Sequence, residues 1–305
     1  MKKSPTIAIL LTTCNSEKYL KEQLDSVLKQ KFVNVHIYIS DDNSKDKTLE
    51  IIEFYFKKYP KNFKKLYNVK FKESCTNFYN LILKVPKYNY YAMADHDDVW
   101  IKDKLLRAVN FLNKGYDLYG SRVKSVDEEL NFIAYSPLFE RSPGFKNALV
   151  QGLFANCTTV FTHEVIKLVN KKKINFITDP AWLLYLLTTF YGKKVYYDKI
   201  PRILYRQHSS NIMGLGTSLR SKLSRLYYFF SGVNKRLNDN HINFLKNITG
   251  KQLKKNIQVL KSFDNMRKNM TYFNFDNNFF KNLGIYRQTK KGNFLFKIGI
   301  ILNLE

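Results

Sequence analysis

The densest acidic chemistry in the chain is Asp95-His96-Asp97-Asp98, which directly follows the apolar run Tyr90-Tyr91-Ala92-Met93-Ala94. Three carboxylates in four positions repel one another, and a fold keeps them together only where a cation or several hydrogen-bond donors offset the charge. Oxygen-only ligands of this kind suit Mg2+ or Mn2+, hard cations that keep coordination positions open for the oxygens of a substrate phosphate. The competing reading is a cap, because Asp97 and Asp98 stand just ahead of a helical pattern and carboxylates are favoured at that end. A second acidic pair, Asp41-Asp42, closes another apolar segment, and Asp179 stands immediately before Pro180 at the head of a further helical pattern, in the place of an N-cap.

Elements that position these groups follow from the hydrophobic period, which switches repeatedly between strand-like and helix-like along residues 6–122. Ile7-Ala8-Ile9-Leu10-Leu11 is an apolar run of the kind found in a strand covered on both faces, and it stops at Thr12-Thr13-Cys14-Asn15. Ser16 is expected to cap a helix with Leu20, Leu24, Val27 and Leu28 on one stripe. Val35, Ile37 and Ile39 alternate with polar neighbours in a second strand, and Asp46 heads a helix with Leu49, Ile52, Tyr55 and Phe56 inward. Strands at 65–69 and 90–94 and helices at 76–84 and 102–114 complete this half, with Gly115 as the last helix stop. Residues 123–150 read as irregular, 152–161 as a loop and strand, 164–170 and 180–190 as helices, 193–198 as a strand, and the chain beyond about 214 as helical. The fold class is α/β, with a mostly parallel central sheet flanked by helices. Three strands end in polar clusters, and in open α/β sheets the ligand crevice lies beyond the carboxyl ends of the strands.

Composition bounds the rest. A chain of 305 residues, 45% hydrophobic and 15% aromatic, builds one large core or two modest ones, which excludes a disulfide-stapled mini-domain. No window approaches 18 uninterrupted apolar residues, the N-terminus lacks a signal-peptide cleavage pattern, and Cys14, Cys75 and Cys157 are odd in number and widely spaced. These features predict a cytoplasmic protein with reduced thiols. The net charge of +26 comes from 41 Lys and 10 Arg against 25 acidic residues, an excess better suited to general anion attraction than to base readout. Residues 210–305 hold 17 basic against 4 acidic side chains, so the C-terminal third is the basic part. Its aromatic and apolar stretches, 219–230 and 294–302, suit peripheral contact with an anionic membrane surface; the other reading is a helical appendage packed on the core. A nucleic-acid partner is disfavoured, since no zinc-finger spacing or RNA-binding motif is present and acidic strand ends repel phosphate unless metal is bound.

Residues 6–100 resemble the nucleotide-sugar-binding half of family 2 glycosyltransferases of the GT-A fold. The carriers are a first strand ending in Thr-x-x-Asn at 12–15, the Asp41-Asp42-Asn43-Ser44 strand end, and Asp95-His96-Asp97-Asp98-Val99-Trp100. The resemblance implies that Asp42 or Asp41 meets the N3–H of a uracil or thymine ring, with Thr12 and Asn15 lining the base pocket. It further implies that Asp95 holds ribose and that Asp97 binds the Mn2+ or Mg2+ of the diphosphate, with Asp98 as a rival ligand. In the second half, Gly152-Leu153-Phe154-Ala155-Asn156-Cys157-Thr158 resembles the loop below the donor sugar. Thr178-Asp179-Pro180-Ala181-Trp182 resembles the motif that supplies the catalytic base, Asp179. Leu204-Tyr205-Arg206-Gln207-His208 is similar to a segment of the bacterial rhamnosyltransferase-like branch, in which the histidine completes the metal shell; Arg206 is then placed for bidentate contact with phosphate oxygens.

The expected organisation is a donor-binding half at 1–122, an acceptor-binding and catalytic half at 123–213, and a basic helical region at 214–305. The expected activity is inverting, metal-dependent transfer of a sugar from a UDP- or dTDP-sugar to a hydroxyl of a glycan or lipid-linked glycan in bacterial surface polysaccharide synthesis. It would take place in the cytoplasm or on the inner face of the cytoplasmic membrane. The alternative is a basic membrane-surface or nucleic-acid-binding protein with a non-catalytic transferase-like domain.

Overall fold

β1 (Thr6–Thr13) is buried from its second residue to its last, and its alternation divides the interior in two. Ala8 and Leu10 enter one apolar cluster, while Ile7, Ile9 and Leu11 enter another on the opposite face. A strand covered on both faces has no polar alternation, which is why this one reads as a continuous apolar run. The computed structural model describes residues 4–70, 74–170, 178–208, 230–248, 254–269 and 282–305.

β1 pairs in parallel with β2 (Asn34–Asp41) on one side and β4 (Tyr90–Ala94) on the other, and β3 (Phe63–Asn68) extends the sheet beyond β2. Past β4 come β9 (Val160–Thr162), β6 (Leu118–Ser121) and β10 (Val195–Asp198), giving a seven-stranded sheet in the order β10-β6-β9-β4-β1-β2-β3. Only β9 runs against its neighbours, antiparallel to both β4 and β6. Side chains of α1 (Leu20–Leu28), α2 (Thr48–Lys58) and α4 (Lys104–Leu112) fill one face, including Leu20, Leu24, Ile52, Leu105 and Val109. α3 (Ser74–Lys84), α6 (His163–Asn170) and α7 (Pro180–Phe190) cover the other with Phe78, Leu81, Val165, Leu184 and Leu187.

A second sheet occupies part of the region read as irregular. β5 (Val99–Trp100), β11 (Ile203–Arg206), β7 (Lys124–Val126) and β8 (Phe132–Tyr135) lie side by side in that order, and α5 (Phe145–Ala148) follows. Strands of two to four residues are too short to show a period, and this sheet takes its members from three separated stretches of chain. A local reading therefore had no signal for it. Ser16 likewise does not cap α1. Its Oγ accepts from the Cys14 N–H at 3.1 Å, and the helix starts at Leu20 after a turn closed on the Ser16 carbonyl.

Among the described residues, the C-terminal helices α8 (Val233–Lys246), α9 (Lys254–Asn269) and α10 (Lys290–Ile301) place Ile242, Leu245, Leu260, Phe263, Phe296 and Ile300 in the same core as α7. Their clasp is Glu305, whose carboxylate meets Arg287 through both oxygens and whose carbonyl accepts from Arg267 Nε at 2.8 Å. The 219–230 segment lies almost wholly outside the described residues. No described helix is long and apolar enough to cross a membrane, and all three cysteines are free thiols.

Candidate active site

Strand register sets the location. Thr13 stands level with Asp41 and Leu11 with Ala94, so the segments leaving β1, β2 and β4 emerge at one edge of the sheet. Asp41 is fully buried there. Its Oδ1 accepts from Thr13 Oγ1 at 2.7 Å and from Ser44 Oγ at 2.6 Å, and its Oδ2 accepts from the Ser44 N–H at 2.9 Å. Asn15, in the left-handed region at φ 47, accepts from the Lys45 N–H at 2.8 Å and donates its own N–H to Ser44 Oγ at 2.8 Å. The two turns are thereby stitched together. Thr12 is buried beside them, and Asp42 is half-buried, with its N–H on the Thr13 carbonyl at 2.8 Å. Asp41 thus acts as an internal anchor, and Asp42 is the member of the pair that keeps a partly open face. The anchoring roles of Thr13 and Ser44 escaped sequence reasoning, although an Asp with Ser three residues on is a turn signature.

The acidic turn after β4 is held by β11. Asp97 Oδ2 lies 2.9 Å from His208 Nε2, and Asp98 Oδ1 accepts from the Arg206 N–H at 3.2 Å. Arg206 is only 2% exposed. Its Nε donates to the Asp97 carbonyl at 3.0 Å, its terminal nitrogens meet the Glu128 carbonyl and the Glu22 carboxylate, and its guanidinium lies 4.5 Å from the Tyr19 ring. All three guanidinium nitrogens donate to protein acceptors, so the group ties the acidic turn and the β7–β8 hairpin to α1. These three bonds give the buried guanidinium an anchoring role beside the expected contact with phosphate oxygens.

Behind the turn, single ligand atoms of Asp95, Asp98 and Cys157 lie within 4.8 Å of one another. Burial raises the Asp95 carboxyl, and the charges of Asp97 and Asp179 raise it further; burial likewise lifts Asp98, with Asp97 and Asp95 adding to it. Burial also pushes the Cys157 thiol well up, with the charges of Asp98 and Asp95 adding to it. Lys104 is buried beneath this cluster, its ammonium 3.5 Å from the Trp100 ring centroid and without a hydrogen-bond partner among the described residues. Burial pulls it down to about 7, against the charges of Asp98 and Asp95 that favour its proton. No sequence pattern announced Lys104; a lysine at a helix start ordinarily reads as solvated.

Asp179 opens α7. Its Oδ1 accepts from the Trp182 N–H at 2.7 Å, and Asn156 Oδ1 accepts from the Ala181 N–H at 3.0 Å. Burial pushes the Asp179 carboxyl up to about 6, opposed by the N–H groups of Trp182 and Ala181, which favour the ionised form. Its charge is one of those that raise Asp95. Acidic groups from the end of β4 and the start of α7 therefore share one electrostatic neighbourhood, with His208 joined to it through Asp97. The carboxylate of Asp97 and the imidazole of His208 form an oxygen–nitrogen donor set that would suit Mn2+, whereas Mg2+ would be met by the carboxylate alone.

The family described as Glycosyl transferase family 2 matches residues 8–174. A dTDP-rhamnosyl transferase, RfbG of Shigella flexneri, is 33% identical over 233 residues, covering 71% of this chain and 78% of that protein. Among solved structures, S. aureus TarS 1-349 in complex with UDP-GlcNAc is similar over 97% of this chain and 81% of its own, at a TM-score of 0.60 and 16% identity. GalNAc-T7 with UDP, GalNAc and Mn2+ is similar over 77% of this chain and 50% of its own, at a TM-score of 0.55 and 11% identity. At those identities the structural likeness speaks for the fold, a GT-A arrangement with added C-terminal helices.

Proposed function

The chain belongs to glycosyltransferase family 2, and from that premise we propose that it transfers a sugar, with inversion, from a UDP- or dTDP-sugar to a hydroxyl of a glycan or lipid-linked glycan acceptor in bacterial surface polysaccharide synthesis. The observation that carries the proposal is the gathering of Asp95, Asp97, Asp98, Asp179 and His208 at the strand-end edge of the sheet. The similarity to a dTDP-rhamnosyl transferase supports a deoxysugar donor. A carboxylate that accepts from N3–H serves uracil and thymine alike, so the donor class spans both nucleotides.

In this assignment residues 1–122 bind the donor, with Asp42 accepting from the base and Asp41 fixing the turn that presents it. Thr12 and Asn15 border the base pocket, and Asp95 accepts from ribose. Asp97 and His208 would hold the divalent ion, with Asp98 buried behind them and Arg206 fixing the turn that carries both aspartates. When bound, such an ion offsets the negative charge of the departing nucleoside diphosphate. Asp179 accepts the proton of the acceptor hydroxyl as the new bond to the anomeric carbon forms on one face and the bond to the diphosphate oxygen breaks on the other. The Trp182 N–H holds one oxygen of Asp179 in place for that transfer. Residues 123–213 take the acceptor, and the basic helical region from 214 onward is assigned to contact with an anionic membrane on the cytoplasmic side, where a lipid-linked acceptor lies.

The test is a thermal-shift series with UDP, dTDP and their sugars, with and without Mn2+, on the native chain, Asp97→Ala and Asp179→Asn. Nucleotide should raise the melting temperature only with metal, by several degrees at saturating ligand. Asp97→Ala should lose that shift, and Asp179→Asn should keep it while losing transfer by about 10²-fold or more. Stabilisation by nucleic acid alone, with none by nucleotide and metal, overturns the proposal.

A further inference from the structure

His241 sits on α8, 0% exposed and remote in sequence from every group used above. Its Nε2 is 2.6 Å from Thr178 Oγ1, and its ring packs edge-on against Trp182 with centroids 4.7 Å apart and planes at 75°. Thr178 immediately precedes Asp179, and Trp182 supplies the N–H that binds the Asp179 carboxylate. Both flanks of Asp179 thus rest on one imidazole. Two further bonds hold the same corner: Tyr79 Oη donates to the Thr178 carbonyl at 3.4 Å, and Trp182 Nε1 donates to the Ala148 carbonyl at 2.7 Å. Burial keeps His241 down to about 3, so the ring stays neutral and its bond to Thr178 persists at working pH.

We propose that His241 is a positioning residue for the reaction: acting through Thr178 and Trp182, it fixes the conformation in which Asp179 meets the acceptor hydroxyl. The inference rests on Asp179 being the base. It gives the C-terminal region a part in catalysis that is separate from any membrane contact, because α8 delivers the ring into the corner where α7 begins. A base displaced by about 1 Å loses on the order of 10²-fold in rate without any change in donor affinity.

The test compares the full-length native enzyme with His241→Phe, which keeps an aromatic ring against Trp182, and with Thr178→Val and Thr178→Ser. His241→Phe and Thr178→Val should each lower kcat about 10- to 100-fold, with the nucleotide Kd and the metal-dependent thermal shift unchanged. The double variant should be no worse than either single one, since both remove the same bond. Thr178→Ser retains the hydroxyl and should keep kcat near the native value. Native kcat in both His241→Phe and Thr178→Val overturns the positioning role while Asp179→Asn stays inactive; an active Asp179→Asn instead overturns the assignment of the base. Equal losses in Thr178→Ser and Thr178→Val show that the hydroxyl is not the operative group and also overturn it. Should His241→Phe fail to give the nucleotide thermal shift, Thr178→Val and Thr178→Ser decide the matter alone.

Discussion

Burial and two backbone N–H groups pull the Asp179 carboxyl in opposite directions, and the balance at about 6 puts its titration near the pH where a general base is most effective. Below that value the carboxyl already carries the proton that the proposed base would have to accept. The kcat/KM for acceptor should therefore climb about tenfold per pH unit on the acid side and level off above about 6. A pH–rate profile at fixed saturating donor and metal measures this, and a profile flat from pH 4.5 to 7 would count against the assignment. At this scale the sequence disclosed what is clustered. Asp95, Asp97 and Asp98 are adjacent in the chain, and Asp179 precedes a proline, so their interest shows without a fold. Commitments across the chain were hidden: the bond that Thr13 gives Asp41 spans 28 residues, and the Arg206–Glu22 pair spans 184. His241 was hidden for the same reason, since a lone histidine on a helix carries no mark of the threonine it meets 63 positions away.

Elements differ in how sharply they can be read. β4 and α7 fall where the apolar run and the Asp179-Pro180 start place them, because each is bounded by residues that cannot continue it. β7 and β8 gave no such signal, being three and four residues long. Packing between elements supplies a prediction that no propensity contains. Gly120 in β6 faces the ring of Phe154, and a Cβ placed there would lie 1.9 Å from its Cδ1. Gly120→Ala must push Phe154 and the 152–155 loop away, with a cost of about 1–3 kcal/mol in urea unfolding. Because that loop leads to Asn156, which binds the Ala181 N–H beside Asp179, kcat should fall along with stability. Unchanged stability would mean that the ring has room to turn.

On the scale of the whole molecule, the C-terminal third is basic, and its described helices place apolar side chains in the same cluster as α7. Glu305 is held there by Arg287 and Arg267 in a nearly dry setting. Removing one partner of a buried ion pair strands the other, and Arg287→Met should cost about 3–5 kcal/mol, read as a lower melting temperature for the entire chain in one transition. A separate early transition with an unchanged main one would show instead that the C-terminal helices melt on their own. The order of strands carries a consequence for biosynthesis. β4 and β6 are joined through β9, whose residues are made 68 to 72 positions after their partners in β4. A nascent polypeptide of about 150 residues emerging from the ribosome therefore exposes a bare, apolar β4 flank until translation reaches the missing strand. An unpaired flank of that kind is open to mispairing until β9 arrives.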